Sequence, residues 1–135
     1  VKLEKYTKLM NIEVRTMKRM TRRTFLPAIN KYATLVANEI NEMKAACAGI
    51  DTSVQDQLLN TVVDGIKEIN DALNELHAAP LAIRDLTDEQ EKANKYAHEI
   101  VPMMERLRAG VDAMEIVVAH DLWPVPTYND ILFYC

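Results

Sequence analysis

The apolar positions recur every three or four residues along most of the chain, the repeat of one face of an α-helix. From Ile29 through Ala33, Val36, Ile40, Met43 and Cys47 to Ile50, the steps alternate between four and three. Upstream, Leu3, Tyr6, Met10, Met17 and Met20 keep the rhythm, with Glu13 as the one polar intruder. Pro27 lies between the two stretches; proline removes one backbone hydrogen bond and crowds the preceding turn. Its neighbours Phe25, Leu26 and Ala28 are not loop formers. The pattern therefore predicts one long helix over about 2–48, kinked at Pro27 and stopped by Gly49.

Asp51 or Thr52 is placed to cap a second helix over about 53–78, with the stripe Leu59, Val62, Ile66, Ile69, Leu73 and Leu76. Gly65 weakens it by about 1 kcal/mol relative to alanine, and Pro80 is expected to end it. The linker 79–86 is partly apolar, through Leu81, Ile83 and Leu86, and should pack on the end of the bundle. Thr87-Asp88-Glu89-Gln90 has the form of a capping box, the Thr87 hydroxyl serving the amide of Gln90 and the Gln90 side chain reaching back. A third helix over about 88–121 carries Ala93, Ala97, Ile100, Met104, Leu107, Val111, Met114 and Val118, with a bend expected near Pro102. In the tail 122–135, Pro124 and Pro126 favour extended backbone, and four of the eight aromatics (Trp123, Tyr128, Phe133, Tyr134) gather there. The fold class is all-α: one domain over 1–135, an antiparallel up-down-up bundle of three long helices with an extended aromatic and proline-bearing tail. The steps average 3.5 residues, which predicts left-handed crossings.

The three helices differ in length, at about 70, 38 and 50 Å from 1.5 Å per residue. The second can cover only the part of the first that follows Pro27. Residues 1–26 should therefore project beyond the core or fold back at the kink. Either way Leu3, Met10, Met17 and Met20 want a surface outside the bundle. The helical pattern also begins at once, without a cap, as in a piece cut from a longer chain.

Composition narrows the chemistry. Hydrophobic residues make up 49% and charged residues 27%, and no apolar run approaches the roughly 18 residues that a bilayer requires. Cys47 and Cys135 form no C-x-x-C pair, so a reducing, cytoplasmic setting fits. Cys47 lies on the apolar stripe and is expected to be a packed thiol. No Glu-x-x-His turn occurs, His77, His98 and His120 are dispersed, and the three glycines are isolated. The residues thus assign no catalytic, cofactor or metal site. Charge is uneven: residues 1–31 hold nine basic and two acidic side chains, against an overall net of −4. The face containing Arg15, Lys18, Arg19, Arg22 and Arg23 is either simply solvated or a site for phosphate, nucleic acid or an acidic protein. The acidic total and the missing aromatic platform disfavour nucleic acid. Trp123 and Tyr128 are residue types that dominate binding hot spots, and the tail either clips onto a neighbour or folds over its own bundle end.

Two stretches carry a family resemblance. N-I-E-V-R-T-M at 11–17, leading into F-L-P-A at 25–28 and Tyr32, and L-W-P-V-P-T-Y-N-D-I-L-F at 122–133 both resemble the C-terminal region of type III glutamine synthetases. Their order, spacing and all-helical filling match as well. Glycine is common in the family where this chain has Asn129, and asparagine tolerates the same left-handed backbone. The resemblance implies a parent ligase that joins ammonia to glutamate using ATP and divalent metal at a site built upstream, between subunits of a ring. None of those site motifs is present here. The chain would then be a non-catalytic C-terminal domain that packs on the catalytic domain of the same polypeptide and helps assemble or regulate a homo-oligomer. Its candidate contacts are Leu3, Met10, Met17, Met20, Arg15, Arg19, Arg22, Trp123, Tyr128 and Phe133. The other reading is a stand-alone helical adaptor that binds an acidic protein or nucleic acid through 15–23.

Overall fold

The structure, a computed structural model, describes residues 2–125. Within them every regular element is helical, with no strand. The elements are α1 (Lys2–Met20), α2 (Leu26–Ala46), α3 (Ser53–Ile83), α4 (Glu89–Lys95) and α5 (Val101–Val117), followed by a short 3-10 turn at His120–Leu122. π-helical turns at Thr21–Phe25 and Tyr96–Ile100 join α1 to α2 and α4 to α5 without a break. Three helical arms result. α3 packs on both α2 and α5, α1 lies against α4 and α3, and the 3-10 turn returns to α2.

The core is continuous. It is built around Ile29 and Ala33 of the first arm, Val62, Ile69, Leu73 and Leu76 of α3, and Ile100, Leu107 and Met114 of the third. The register of α1 differs from the expected one. The inward positions of α1 and of the π turn that follows it are Thr7, Val14 and Thr21, with Tyr6, Met10 and Met17 half-buried beside them. Glu13 is therefore no intruder, and Met20 faces out. Two of the buried positions are threonines, which a hydrophobic pattern passes over. Each satisfies its hydroxyl locally: Thr7 donates to the Glu4 carbonyl at 2.9 Å and Thr21 to that of Met17 at 2.8 Å.

Both π turns stand directly before an X-Pro pair, Leu26-Pro27 and Val101-Pro102. In each, the amide after the turn reaches back five residues, from Leu26 to Thr21 and from Val101 to Tyr96. Proline has no amide, and its ring collides with the carbonyl four residues earlier. One extra residue in the turn moves that carbonyl out of the way. The widening also resets the inward face, so Tyr96 is buried where Ala97 was expected, and Ala97 and His98 are exposed.

Other expectations about the helix ends change too. Pro80 sits inside α3 rather than ending it, because burial of Ile83 holds one further turn and the Arg84 amide bonds the Pro80 carbonyl at 3.0 Å. The first arm stops at Ala46, where Cys47 turns to extended backbone, so Gly49 is not the stop and the Cys47 thiol is exposed rather than packed. Asp51 accepts from the Ser53 amide at 2.9 Å, and Thr52 stands at the cap position. At α4 the cap is Asp88, not Thr87. Its carboxylate takes the Gln90 amide at 3.0 Å, and Gln90 turns forward to Asn94.

Candidate interaction faces

Of the two courses that its length allows, projecting beyond the core or folding back at the kink, α1 does not take the first. It packs along α4 and α3, yet it remains a helix with three faces. The inner one, through Val14 and Met17, joins the core. A second carries Leu9, Ile12 and Met20, which are 54%, 57% and 40% exposed. The third carries Asn11, Arg15 and Lys18, at helical spacing i, i+4, i+7.

The outward apolar face borders a groove of about 510 Å³ between the first arm and α5. Ile12, Met17, Met20 and Phe25 form one wall and Met104, Leu107 and Val111 the other, while Glu13, Arg108 and Asp112 sit at its edges. Flexible thioethers on both walls let such a surface adapt to a partner's shape. Phe25, on the groove wall, also packs against Trp123, with ring centroids 5.4 Å apart and planes tilted by 33°. The indole is only 8% exposed. Phe25 and Trp123 belong to the two separate stretches singled out in the sequence, and the fold brings them together.

The basic face has its own pocket, of about 210 Å³, formed where α1 meets the end of α3 and α4. Arg15, Lys18, His77, Arg84 and Lys92 stand around it. The Lys18 ammonium donates to His77 Nδ1 at 3.2 Å. Partial burial, with Arg22 and Arg15 close by, pulls the Lys18 pKa below its ordinary value of 10.5. At the floor the buried Tyr96 donates its hydroxyl to Asn11 Oδ1 at 2.5 Å, and burial raises its phenol pKa above 10.0. Asn11 is the first residue of the N-I-E-V-R-T-M stretch.

Of the candidate contacts, Leu3, Met10 and Met17 are half-buried, Met20 is exposed, and Arg15, Arg19 and Arg22 are exposed. The basic cluster divides: Lys18 turns toward His77, whereas Arg22 lies over α3 beside Leu26, Ile66 and Asn70. Trp123 is inside the fold, and Tyr128 and Phe133 lie outside the described residues. Sequence reasoning missed Tyr96 and His77. Tyr96 stands three residues after Ala93 and four before Ile100, a spacing that could have revealed it. For His77 no local signal existed, because its partner is 59 positions away. Among the described residues, no three or more His, Cys, Asp or Glu side chains gather where they could hold a metal ion. No described helix is long and apolar enough to cross a membrane.

A family profile described as the glutamine synthetase C-terminal domain matches residues 1–44, which is almost all of the first arm. Three curated relatives align along nearly the whole chain. A glutamine synthetase of Bacteroides fragilis is 26% identical over 143 aligned residues, covering 98% of this chain and 19% of the relative. One from Butyrivibrio fibrisolvens is 26% identical, covering 97% and 19%. A type-3 glutamine synthetase of Dictyostelium discoideum is 25% identical, covering 96% and 18%. The chain thus spans about a fifth of the length of the relatives it matches.

Proposed function

Given that this chain is a relative of the glutamine synthetase C-terminal domain, we propose that it serves as a non-catalytic helical domain of a type III ligase. Its role in this reading is to pack on the catalytic domain of the same polypeptide and to stabilise the cytoplasmic homo-oligomer. The three arms form an up-down-up bundle bent at Pro27, supported by the short connections 47–52 and 84–88 and by the packing of α3 between the other two arms. ATP, divalent metal, glutamate and ammonia belong to the parent's catalytic part, and no residue of this chain is assigned to them.

The observation that carries the reading is the outward apolar face of α1. Leu9, Ile12 and Met20 lie on the arm that the family profile covers, beside an apolar groove that the chain's own described residues leave open. An exposed apolar patch of this kind marks a contact surface. The test is made in the full-length ligase. Ile12→Ser with Met20→Ser should shift sedimentation toward smaller assemblies and lower glutamine synthesis in step, while the helical content is unchanged. Unaltered assembly and activity would overturn the reading, as would glutamine formation by the 135-residue chain alone. The adaptor reading draws support from the exposed Arg15, Arg19 and Arg22. It requires tight, steeply salt-dependent binding to DNA, RNA or an acidic protein.

A further inference from the structure

We propose that the basic pocket between α1, the end of α3 and α4 is a binding site for a small phosphate-bearing anion. Three separate elements deliver its cations: Arg15 and Lys18 from α1, Arg84 from the end of α3, and Lys92 from α4. No carboxylate lines the pocket. That is unexpected in a chain with more acidic than basic residues, 20 against 16, where ordinary surface pairing would place an acid among them.

The cations present are poorly neutralised. Lys18 has the His77 ring nitrogen as its partner instead of a carboxylate. Arg84 meets Asp85 only at 3.9 Å, with both side chains largely in water, so the pair has little strength. The crowding that lowers the Lys18 pKa comes partly from Arg15 and Arg22, and an anion would relieve it. Lysine and arginine differ usefully here: two guanidinium forks can grip phosphate oxygens in pairs, and the ammonium groups add point charge. Tyr96 occupies Asn11 Oδ1, which leaves the Asn11 amide nitrogen as one more donor at the floor. The pocket's volume of about 210 Å³ suits a single phosphate group better than a polymer.

The inference does not rest on the ligase reading, since a stand-alone chain would present the same pocket. Its failure would leave the docking face of α1 untouched. The experiment is calorimetric titration of the full-length protein with inorganic phosphate and, separately, with glycerol phosphate, at fixed ionic strength. The comparison is with Arg15→Gln/Lys18→Gln, with Lys92→Gln and with Arg23→Gln as an outside control. One phosphate equivalent per chain should be lost or weakened about tenfold or more in the double variant, as expected when charged hydrogen bonds are removed. Lys92→Gln should weaken it less and Arg23→Gln not at all. Should the double variant fail to fold, Lys92→Gln alone decides. Binding of inorganic phosphate identifies a free-anion site and preference for the ester identifies a phosphorylated metabolite; either supports the proposal. Equal binding by wild type and variants, or no binding of either probe, overturns it.

Discussion

Tyr96 shows how one side chain can hold two arms in register. Its ring is 2% exposed in the third arm, and its hydroxyl donates to Asn11 of the first, 85 positions away. Removing the hydroxyl in Tyr96→Phe strips Asn11 of its donor and should cost about 1 kcal/mol in urea unfolding. The same substitution should alter the alkaline limb of stability. Because burial raises the phenol pKa in the folded state, the neutral phenol's contribution is complete below the ordinary value of 10.0. It is lost as pH rises through the folded value. Tyr96→Phe should flatten that fall, and identical alkaline profiles would refute it. Gly65 makes the opposite point. A Cβ built there would overlap the thioether of Met114, itself buried in the core. Gly65→Ala gains about 1 kcal/mol of helix propensity but overpacks the core by about 1–3 kcal/mol. A net loss of about 1 kcal/mol is expected in denaturant melts, and stabilisation would mean that Met114 has room to move.

At the scale of elements, the prolines explain the shape of the long arms. Pro27 and Pro102 are each accommodated by a π turn directly before them, whereas Pro80 is held inside α3 by the burial of Ile83 in the turn that follows it. The end of the third arm is tied to the first through Phe25 and Trp123. Beyond simple burial, tilted aromatic pairs contribute about 0.5–1.5 kcal/mol. A double-mutant cycle of Phe25→Leu and Trp123→Leu should return a coupling of that size, whereas additive losses would show that the rings merely share the core. The surface link of Arg106 to Glu68 and Glu75 joins α5 to α3 with good geometry. It remains partly in water, so it adds little by comparison.

For the whole molecule, what matters is that α1 serves three environments at once. Its inner face completes a core, its apolar face borders an open groove, and its basic face helps enclose a pocket. The basic residues near the start have acidic helices as neighbours, but the pocket keeps those acids out of its lining. Because Leu9, Ile12 and Met20 contribute little to the internal core, Ile12→Ser with Met20→Ser should leave the chain's own melting temperature within about 2 °C. A larger loss would place these side chains in the fold rather than at a contact.

The all-α class and most inward positions of α2, α3 and α5 were legible in the sequence, because a 3.6-residue repeat of large apolar side chains is a local property. Ile29, Leu73 and Leu107 needed no partner to be recognised as core. The register of α1 was not legible, since Thr7 and Thr21 are polar by type and become inward only through bonds to their own helix. Ala97 was misassigned because a π turn adds a residue that no composition announces. The meeting of Phe25 with Trp123, of Asn11 with Tyr96, and of Arg15, Lys18, Arg84 and Lys92 around one pocket was decided by tertiary packing alone. Each joins residues far apart in sequence, and only the way the arms lie against one another fixes those distances.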